Sequence, residues 1–209
     1  MVAEIDKLSA LVAGETGQTA LDARVLDAMQ KVPRHAFVPL VERHAAYWNQ
    51  PLPIGAGQTI SQPFIVALMS DLLKLEAGHT VLEIGTGCGY QAAVLGELAK
   101  DVYTIEIVES LGKEAAKALD RLGYANVHTR VGDGYKGWPE HAPYDAIIVT
   151  AAPDHIPAAL IEQLKAGGRL VIPVGTFSQE LLVISKNDDG TTTSEEIVPV
   201  RFVPLTREK

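Results

Sequence analysis

Beyond Thr80 the chain alternates short apolar runs with stretches whose apolar residues recur every three or four positions, the pattern of strands followed by amphipathic helices. Thr80-Val81-Leu82-Glu83-Ile84 reads as a buried strand, and Gln91 to Leu98 as the apolar-faced helix after it. Val102-Tyr103-Thr104-Ile105 predicts a second strand ending on Glu106, and Leu111, Ala115, Ala118, Leu119 and Leu122 mark a helix over Val108 to Leu122. Asn126 to Val131 is a short strand. Asp145 to Thr150 is nearly all apolar, as a central parallel strand covered on both faces should be. Ile156 to Leu164 reads as a helix, closed by Gly167-Gly168 before a strand Arg169 to Val174. Glu180 to Ser185 and Glu196 to Leu205 flank the polar turn Asn187-Asp188-Asp189-Gly190, which predicts a hairpin and an antiparallel end to the sheet. Repeated strand–helix units with short links imply an α/β fold, a Rossmann-like, doubly wound, mostly parallel sheet with ligands at the C-terminal ends of its strands.

The first third follows another pattern. Ile5, Leu8, Leu11 and Val12 fall on one helical side, as do Leu21, Val25, Leu26 and Met29. Pro33, Pro39, Pro51 and Pro53 then break the chain into turns and extended pieces, and Pro63 opens a helix through Leu73. Residues 1–79 are expected to form a helical cap with a substrate segment, packed on a sheet core of residues 80–209. The whole of 1–209 is then one domain.

Between the first strand and its helix lies Gly85-Thr86-Gly87-Cys88-Gly89. Glycines there permit a tight turn and close approach of a nucleotide to the backbone. An ordinary strand-to-helix turn would serve equally on the loop alone. The location of the loop, with Glu106 following 21 residues after Gly85, favours a nucleoside site, because a carboxylate at that point can accept both ribose hydroxyls. Tyr90 stands where a dinucleotide fingerprint wants its third glycine, and the Lys-Ser/Thr of a P-loop is missing. A nucleoside without pyrophosphate fits, and S-adenosylmethionine is the common one.

Gly132-Asp133-Gly134 falls on the same sheet edge, where Asp133 either closes a plain β-turn or accepts an adenine amino group. The segment Gly55 to Pro63 is polar and hydroxyl-bearing. Its Ser61, or Thr59, is expected to cap the following helix, with substrate binding a compatible second role. Thr150-Ala151-Ala152-Pro153 lacks the Asn/Asp-Pro-Pro-aromatic set of methyltransferases that act on the exocyclic amines of bases. Cys88 reads as packing under the ligand rather than as a thiolate nucleophile.

Charge and composition then narrow the partners. A net charge of −8 without a long basic cluster disfavours nucleic acid. No apolar run approaches the ~20 residues that span a bilayer, so no membrane partner is expected. One cysteine excludes an internal disulfide and fits a reducing, cytoplasmic location, and the six histidines lack the spacing of a metal site. No long exposed apolar stripe is legible, so a monomer is expected.

Several segments together resemble one family closely. These are Val32-Pro33-Arg34-His35-x-Phe37-Val38-Pro39, Pro51 to Pro63, Val81 to Tyr90, Gly132-Asp133-Gly134 with Gly137-Trp138-Pro139, and Val200-Arg201-Phe202-Val203-Pro204-Leu205. They look like the protein-L-isoaspartate (D-aspartate) O-methyltransferase family, whose sheet is of the class I methyltransferase type. The resemblance implies methyl transfer from S-adenosylmethionine to the α-carboxylate of L-isoaspartyl residues in damaged proteins and peptides, with repair through a succinimide. It makes Ser61 the active-site hydroxyl. It gives Glu83, Gly85, Thr86, Gly87, Gly89, Glu106, Asp133 and Gly134 to the cofactor, and Thr59, Ile60, Ser61, Val200, Arg201 and Phe202 to the acceptor. Two residues depart from the pattern: Cys88 stands where serine is common, and Asn49 where aspartate is usual before Pro-Leu-Pro. A related methyltransferase acting on a small acid or a tRNA, and a nucleoside-binding module without catalysis, are the other readings.

Overall fold

A computed structural model describes residues 1–16 and 20–207. Seven strands form the main sheet: β3 (Thr80–Ile84), β4 (Asp101–Glu106), β5 (Val127–Val131), β6 (Tyr144–Val149), β7 (Leu164–Val174), β8 (Gln179–Lys186) and β9 (Thr192–Val200). Their order is β5-β4-β3-β6-β7-β8-β9. The first five pair in parallel, whereas β8 runs antiparallel to both β7 and β9. The order turns back between β3 and β4 on one side and β6 on the other, the topological switch point where an open α/β sheet binds its ligand.

Period-two alternation explains why the central strands are apolar throughout. Val81, Val102, Ala146, Ile148 and Val171 join one core cluster, while Leu82, Ile84, Ile105, Ile147, Val149, Leu170 and Ile172 join the other. Helices cover these faces: α5 (Tyr90–Gly96), α6 (Glu109–Arg121) and α7 (Ala158–Gln163) follow β3, β4 and β6. The N-terminal helices are α1 (Val2–Leu11), α2 (Ala13–Thr16), α3 (Ala23–Lys31) and α4 (Pro63–Leu72). Ile5, Val25, Met29, Phe37 and Leu52 share the first cluster with Val81 and Val94, so the cap and the sheet have a common core.

The extended pieces expected after Pro51 pair with each other, and two other expectations need correction. Residues 52–60 are an antiparallel ribbon of β1 (Leu52–Gly55) and β2 (Gln58–Ile60), with Leu52 opposite Ile60 and Pro53 opposite Thr59. Pro53 is tolerated because a two-stranded ribbon leaves one edge of each strand unpaired. The last strand spans 192–200 rather than 196–205. Beyond it the chain leaves β8 and crosses to the loop after β6, where Ala152 N–H donates to Val203 (2.8 Å) and Leu205 N–H to Ala152 (2.8 Å). Finally, neither Ser61 nor Thr59 caps α4. Gln62 occupies the cap position without a side-chain bond, and Asn49 Oδ1 accepts the Phe64 N–H at 3.0 Å instead.

Candidate active site

Two clefts meet at the C-terminal ends of the strands. The first encloses about 770 Å³, open mouth included, between the glycine loop, the ends of β3 and β4, and the chain after β2. The second encloses about 1000 Å³, again with its mouth, between Pro51, Gln62, Ile65 and the run Pro199 to Val203. Thr59, Ser61, Thr150 and Val203 line both.

The glycine loop is shaped for close approach. Gly85, Gly87 and Gly89 have φ of +98°, +54° and +90°, values that other residues rarely adopt. A Cβ on Gly85 would lie 2.4 Å from Thr150 Oγ1. That hydroxyl already lies 2.6 Å from the Gly85 carbonyl, to which it donates, and so pins the loop to β6. Glu106 is buried at the end of β4, where Oε2 accepts the Gly87 N–H (2.7 Å) and Oε1 the Val108 N–H (2.9 Å). Both bonds hold the carboxylate on the cleft wall, and each oxygen keeps a lone pair for a further donor.

Among the residues assigned to a cofactor from sequence, Gly85, Thr86, Gly87, Glu106 and Gly134 line the first cleft. Glu83, Gly89 and Asp133 do not. Strand alternation turns Glu83 to the face away from Ile84, behind the loop, where Thr104 Oγ1 donates to it at 2.6 Å. Thr86 Oγ1 lies 2.6 Å from the same Thr104 oxygen, so Glu83 steadies the loop through two hydroxyls. Its Oε1 has no hydrogen-bond partner among the described residues, and burial pushes its carboxyl up to about 8. Gly89 instead packs against α6, where an added Cβ would meet Leu119 at 3.3 Å. Asp133 Oδ1 accepts the Tyr135 N–H (3.0 Å), and this turn presents Gly134 to the cleft. A Cβ on Gly134 would fall 2.2 Å from Ile84 Cγ2.

The acceptor assignments divide similarly. Thr59, Ser61, Val200, Arg201 and Phe202 line the second cleft, whereas Ile60 is buried beneath it and lines only the first. Phe202 is fixed by Gln179, which accepts its N–H at 2.6 Å and donates to its carbonyl at 3.1 Å. Cys88 lines the first cleft, but burial raises its thiol to about 11, so it stays protonated at neutral pH.

Two residues escape the sequence. Arg34 is fully buried, with no carboxylate paired to it among the described residues. Its Nε donates to the Ala46 carbonyl (2.8 Å), its Nη2 to the Ser61 carbonyl (2.7 Å), and its Cζ lies 4.8 Å from the centroid of the Tyr90 ring. Asn49 holds α4 as described. Both act across turns of unpredictable geometry, and only their place within motif-like segments hinted at a role.

This sheet order, with a glycine loop and an acidic strand end at the switch point, defines a Rossmann-like nucleoside-dependent methyltransferase. The chain belongs to the family described as protein-L-isoaspartate(D-aspartate) O-methyltransferase (PCMT), whose model matches residues 7–209. It is 60% identical over 211 residues to protein-L-isoaspartate O-methyltransferase 2 of Polaromonas sp. (strain JS666 / ATCC BAA-500), with both chains fully covered. It is 57% identical to the protein of the same name from Syntrophobacter fumaroxidans (strain DSM 10017 / MPOB), covering 99% of this chain and 84% of that one. A solved protein-L-isoaspartate O-methyltransferase superposes with a TM-score of 0.84 at 29% identity; the match covers 99% of this chain and 66% of that longer one. A Plasmodium falciparum structure named for the same activity, in complex with S-adenosyl-L-homocysteine, superposes at 0.80 with 23% identity, covering 99% and 98% of the two chains. The chain is accordingly a carboxyl methyltransferase acting on L-isoaspartyl residues, with S-adenosylmethionine as the methyl donor.

Proposed function

We propose that the first cleft holds S-adenosylmethionine, that the second holds the isoaspartyl segment, and that transfer takes place where Thr59, Ser61, Thr150 and Val203 wall both. That shared wall is the observation that carries the reading. The residues present fit the cofactor: glycines stand where a Cβ would clash, and a buried carboxylate at the end of β4 is oriented by two backbone N–H groups. Glu106 would accept the ribose hydroxyls, and Gly85, Thr86, Gly87 and Gly134 would lie against the nucleoside. Bound S-adenosylmethionine supplies an electrophilic methyl on a sulfonium.

The chain's own task is alignment. An isoaspartyl α-carboxylate resembles a terminal carboxyl, with a pKa of about 3.5, and is already an anion at neutral pH, so no general base is required. The Ser61 hydroxyl would donate to one carboxylate oxygen and leave the other facing the methyl. Charge is neutralised in the displacement, so excluding water from the junction helps. Orientation can supply as much as roughly 7–11 kcal/mol in favourable systems. The methyl ester carries a better leaving group than the free carboxylate: the backbone nitrogen of the following residue attacks the ester carbonyl, methanol departs, and a succinimide closes.

Finer aspects belong to the same reading. The shared core supports one domain over 1–209, the charge of −8 speaks against nucleic-acid acceptors, and the single cysteine fits the cytoplasm. No helix among the described residues is long and apolar enough to cross a membrane. The decisive test is transfer of labelled methyl to an L-isoaspartyl peptide beside its aspartyl twin. Base-labile label on the isoaspartyl peptide alone is the expected result. Equal labelling of both, or of neither while S-adenosylhomocysteine still binds, would move the acceptor elsewhere.

A further inference from the structure

Seven large hydrophobic side chains are exposed among the described residues, and four of them fall within nine consecutive positions: Leu40, Val41, Tyr47 and Trp48. One short segment, residues 40–48, carries them. His44 Nδ1 lies 2.9 Å from the Val41 carbonyl oxygen, and its ring meets that of Trp48 edge-on with centroids 5.7 Å apart. Leu40 and Val41, at 76% and 75% exposure, do not contribute to the core. Scattered apolar residues are ordinary on a surface, but four within the nine residues of a 3-10 turn (Leu40–Ala45) and the bend after it are a concentration that calls for a partner.

The segment that carries these side chains runs on to the second cleft at Pro51. One guanidinium, that of Arg34, holds the Ala46 and Ser61 carbonyls together, so Tyr47 begins beside the loop that carries the active-site hydroxyl. Asn49 is bonded to the first turn of α4, and Pro51 lines the cleft itself. Only Asn49 and Gln50 separate Trp48 from Pro51, three Cα steps with a reach of at most about 11 Å. An extended acceptor chain leaving the cleft on this side would cross the patch within three to six residues of the modified one.

We infer that Leu40, Val41, Tyr47 and Trp48 form a docking face for apolar side chains in the polypeptide flanking the isoaspartyl residue. This rests on the assignment of the second cleft to the acceptor. Apolar docking suits an enzyme whose acceptors share one lesion and no sequence, because it is non-directional and scales with the area covered. Its net charge of −8 leaves little long-range attraction for acidic segments.

The test uses isoaspartyl peptides with Leu and Phe at positions three to six residues from the lesion, on the amino side or on the carboxyl side. Each is compared with a peptide bearing Gly and Ser at those positions. The unaltered enzyme should show a KM about tenfold lower for one of the apolar-flanked peptides, at equal kcat. L40S/V41S should erase that difference while keeping kcat, and KM for the Gly/Ser peptide, unchanged; Trp48→Ala should reduce it. No preference in the unaltered enzyme, or a preference surviving both variants, would overturn the docking face. So would a dimer in sedimentation that L40S/V41S dissociates, since the face would then belong to a second copy. Failure to methylate any isoaspartyl peptide would overturn the acceptor reading itself, and the docking face with it.

Discussion

Arg34 Nη2 donates to the backbone carbonyl of Ser61 at 2.7 Å, from a position where no solvent reaches the side chain and no carboxylate among the described residues pairs with it. Burying an unpaired cation is unfavourable, and burial indeed lowers the affinity of Arg34 for its proton. What the side chain accomplishes is the joining of two carbonyls, of Ala46 and Ser61, beside Tyr90, which lines the first cleft. Arg34→Met should leave both carbonyls without a donor and cost about 2–4 kcal/mol of stability. It should also lower kcat by at least tenfold while changing the affinity for S-adenosylhomocysteine by less than threefold. Arg34→Lys, which keeps a donor for one carbonyl, should recover part of kcat. If kcat and cofactor affinity fall together in both variants, in step with the melting temperature, Arg34 is only a structural brace.

Ser61 tests the alignment argument directly. Its carbonyl is held by Arg34, and its side chain stands on the wall shared by the two clefts. Ser61→Ala removes one hydrogen bond to a charged acceptor, a change of about 1.5–3 kcal/mol, so kcat should fall by roughly 10- to 100-fold with cofactor affinity nearly unchanged. Collapse of cofactor binding with kcat intact at saturation would remove the hydroxyl from the transfer step.

Gly134 isolates a close approach from backbone strain, since its φ is not positive and only space forbids a side chain. An added Cβ would meet Ile84 Cγ2 at 2.2 Å, and Ile84 is itself buried in the core. Gly134→Ala should displace the loop carrying Asp133, cost about 1–3 kcal/mol, and weaken S-adenosylhomocysteine binding by tenfold or more. Gly78→Ala is the control: nothing lies within 4 Å of its Cβ position, and binding should not change. Calorimetric titration of both variants decides the matter, and equal affinities would show that the loop accommodates the methyl.

The repeating core was legible because each strand carries a signal that tertiary contacts merely reinforce. Val81, Val102 and Ile148 alternate with Leu82, Ile105 and Ile147, so period two and the strand–helix succession gave the parallel sheet. The β1–β2 ribbon was hidden, since Pro51 and Pro53 argue against a strand and only Leu52, Ile54 and Ile60 are turned inward. For the site, spacing and the family resemblance pointed to residues whose backbone lies at the strand ends but could not tell which side chains face the cleft. Glu83, one residue before Ile84, is therefore behind the loop, and Asp133 spends Oδ1 on its own turn. Arg34 and Asn49 were illegible as partners of Ser61 and Phe64, because their bonds span 27 and 15 residues through irregular chain.

Glu83 gives a pH signature. Its native carboxyl titrates at about 8 because of burial, against a usual 4.5. Below pH 4.5 the group is neutral in the folded and unfolded chains alike. Between 4.5 and 8 the unfolded chain releases the proton first, so stability falls as pH rises, and above 8 the loss is complete. The loss is at most about 5 kcal/mol. Glu83→Gln keeps an acceptor for Thr104 and cannot titrate, so the melting temperature of the native protein should decline more steeply from pH 5 to 8 than that of the variant. Parallel melting curves across that range would mean that Glu83 is ionised in the folded protein.

Asn49 explains a departure from the family pattern. Its Oδ1 accepts the Phe64 N–H at 3.0 Å, one of the amide groups that the first turn of α4 leaves without an intrahelical partner. Since Gln62 contributes no side-chain bond at the cap, Asn49 caps the helix from outside it. The requirement there is an oxygen acceptor of this length. Aspartate meets it as well and adds a favourable charge at a helix N-terminus, about 0.3–1 kcal/mol. Asn49→Asp should therefore fold with equal or slightly greater stability and keep full activity, while Asn49→Ala should lose about 1 kcal/mol. Because α4 begins two residues after Ser61, Asn49→Ala should also raise KM for isoaspartyl peptides more than it lowers kcat. Urea titrations with matched kinetics separate these outcomes; a destabilised Asn49→Asp would show that the amide N–H₂, rather than the oxygen, is what this position supplies.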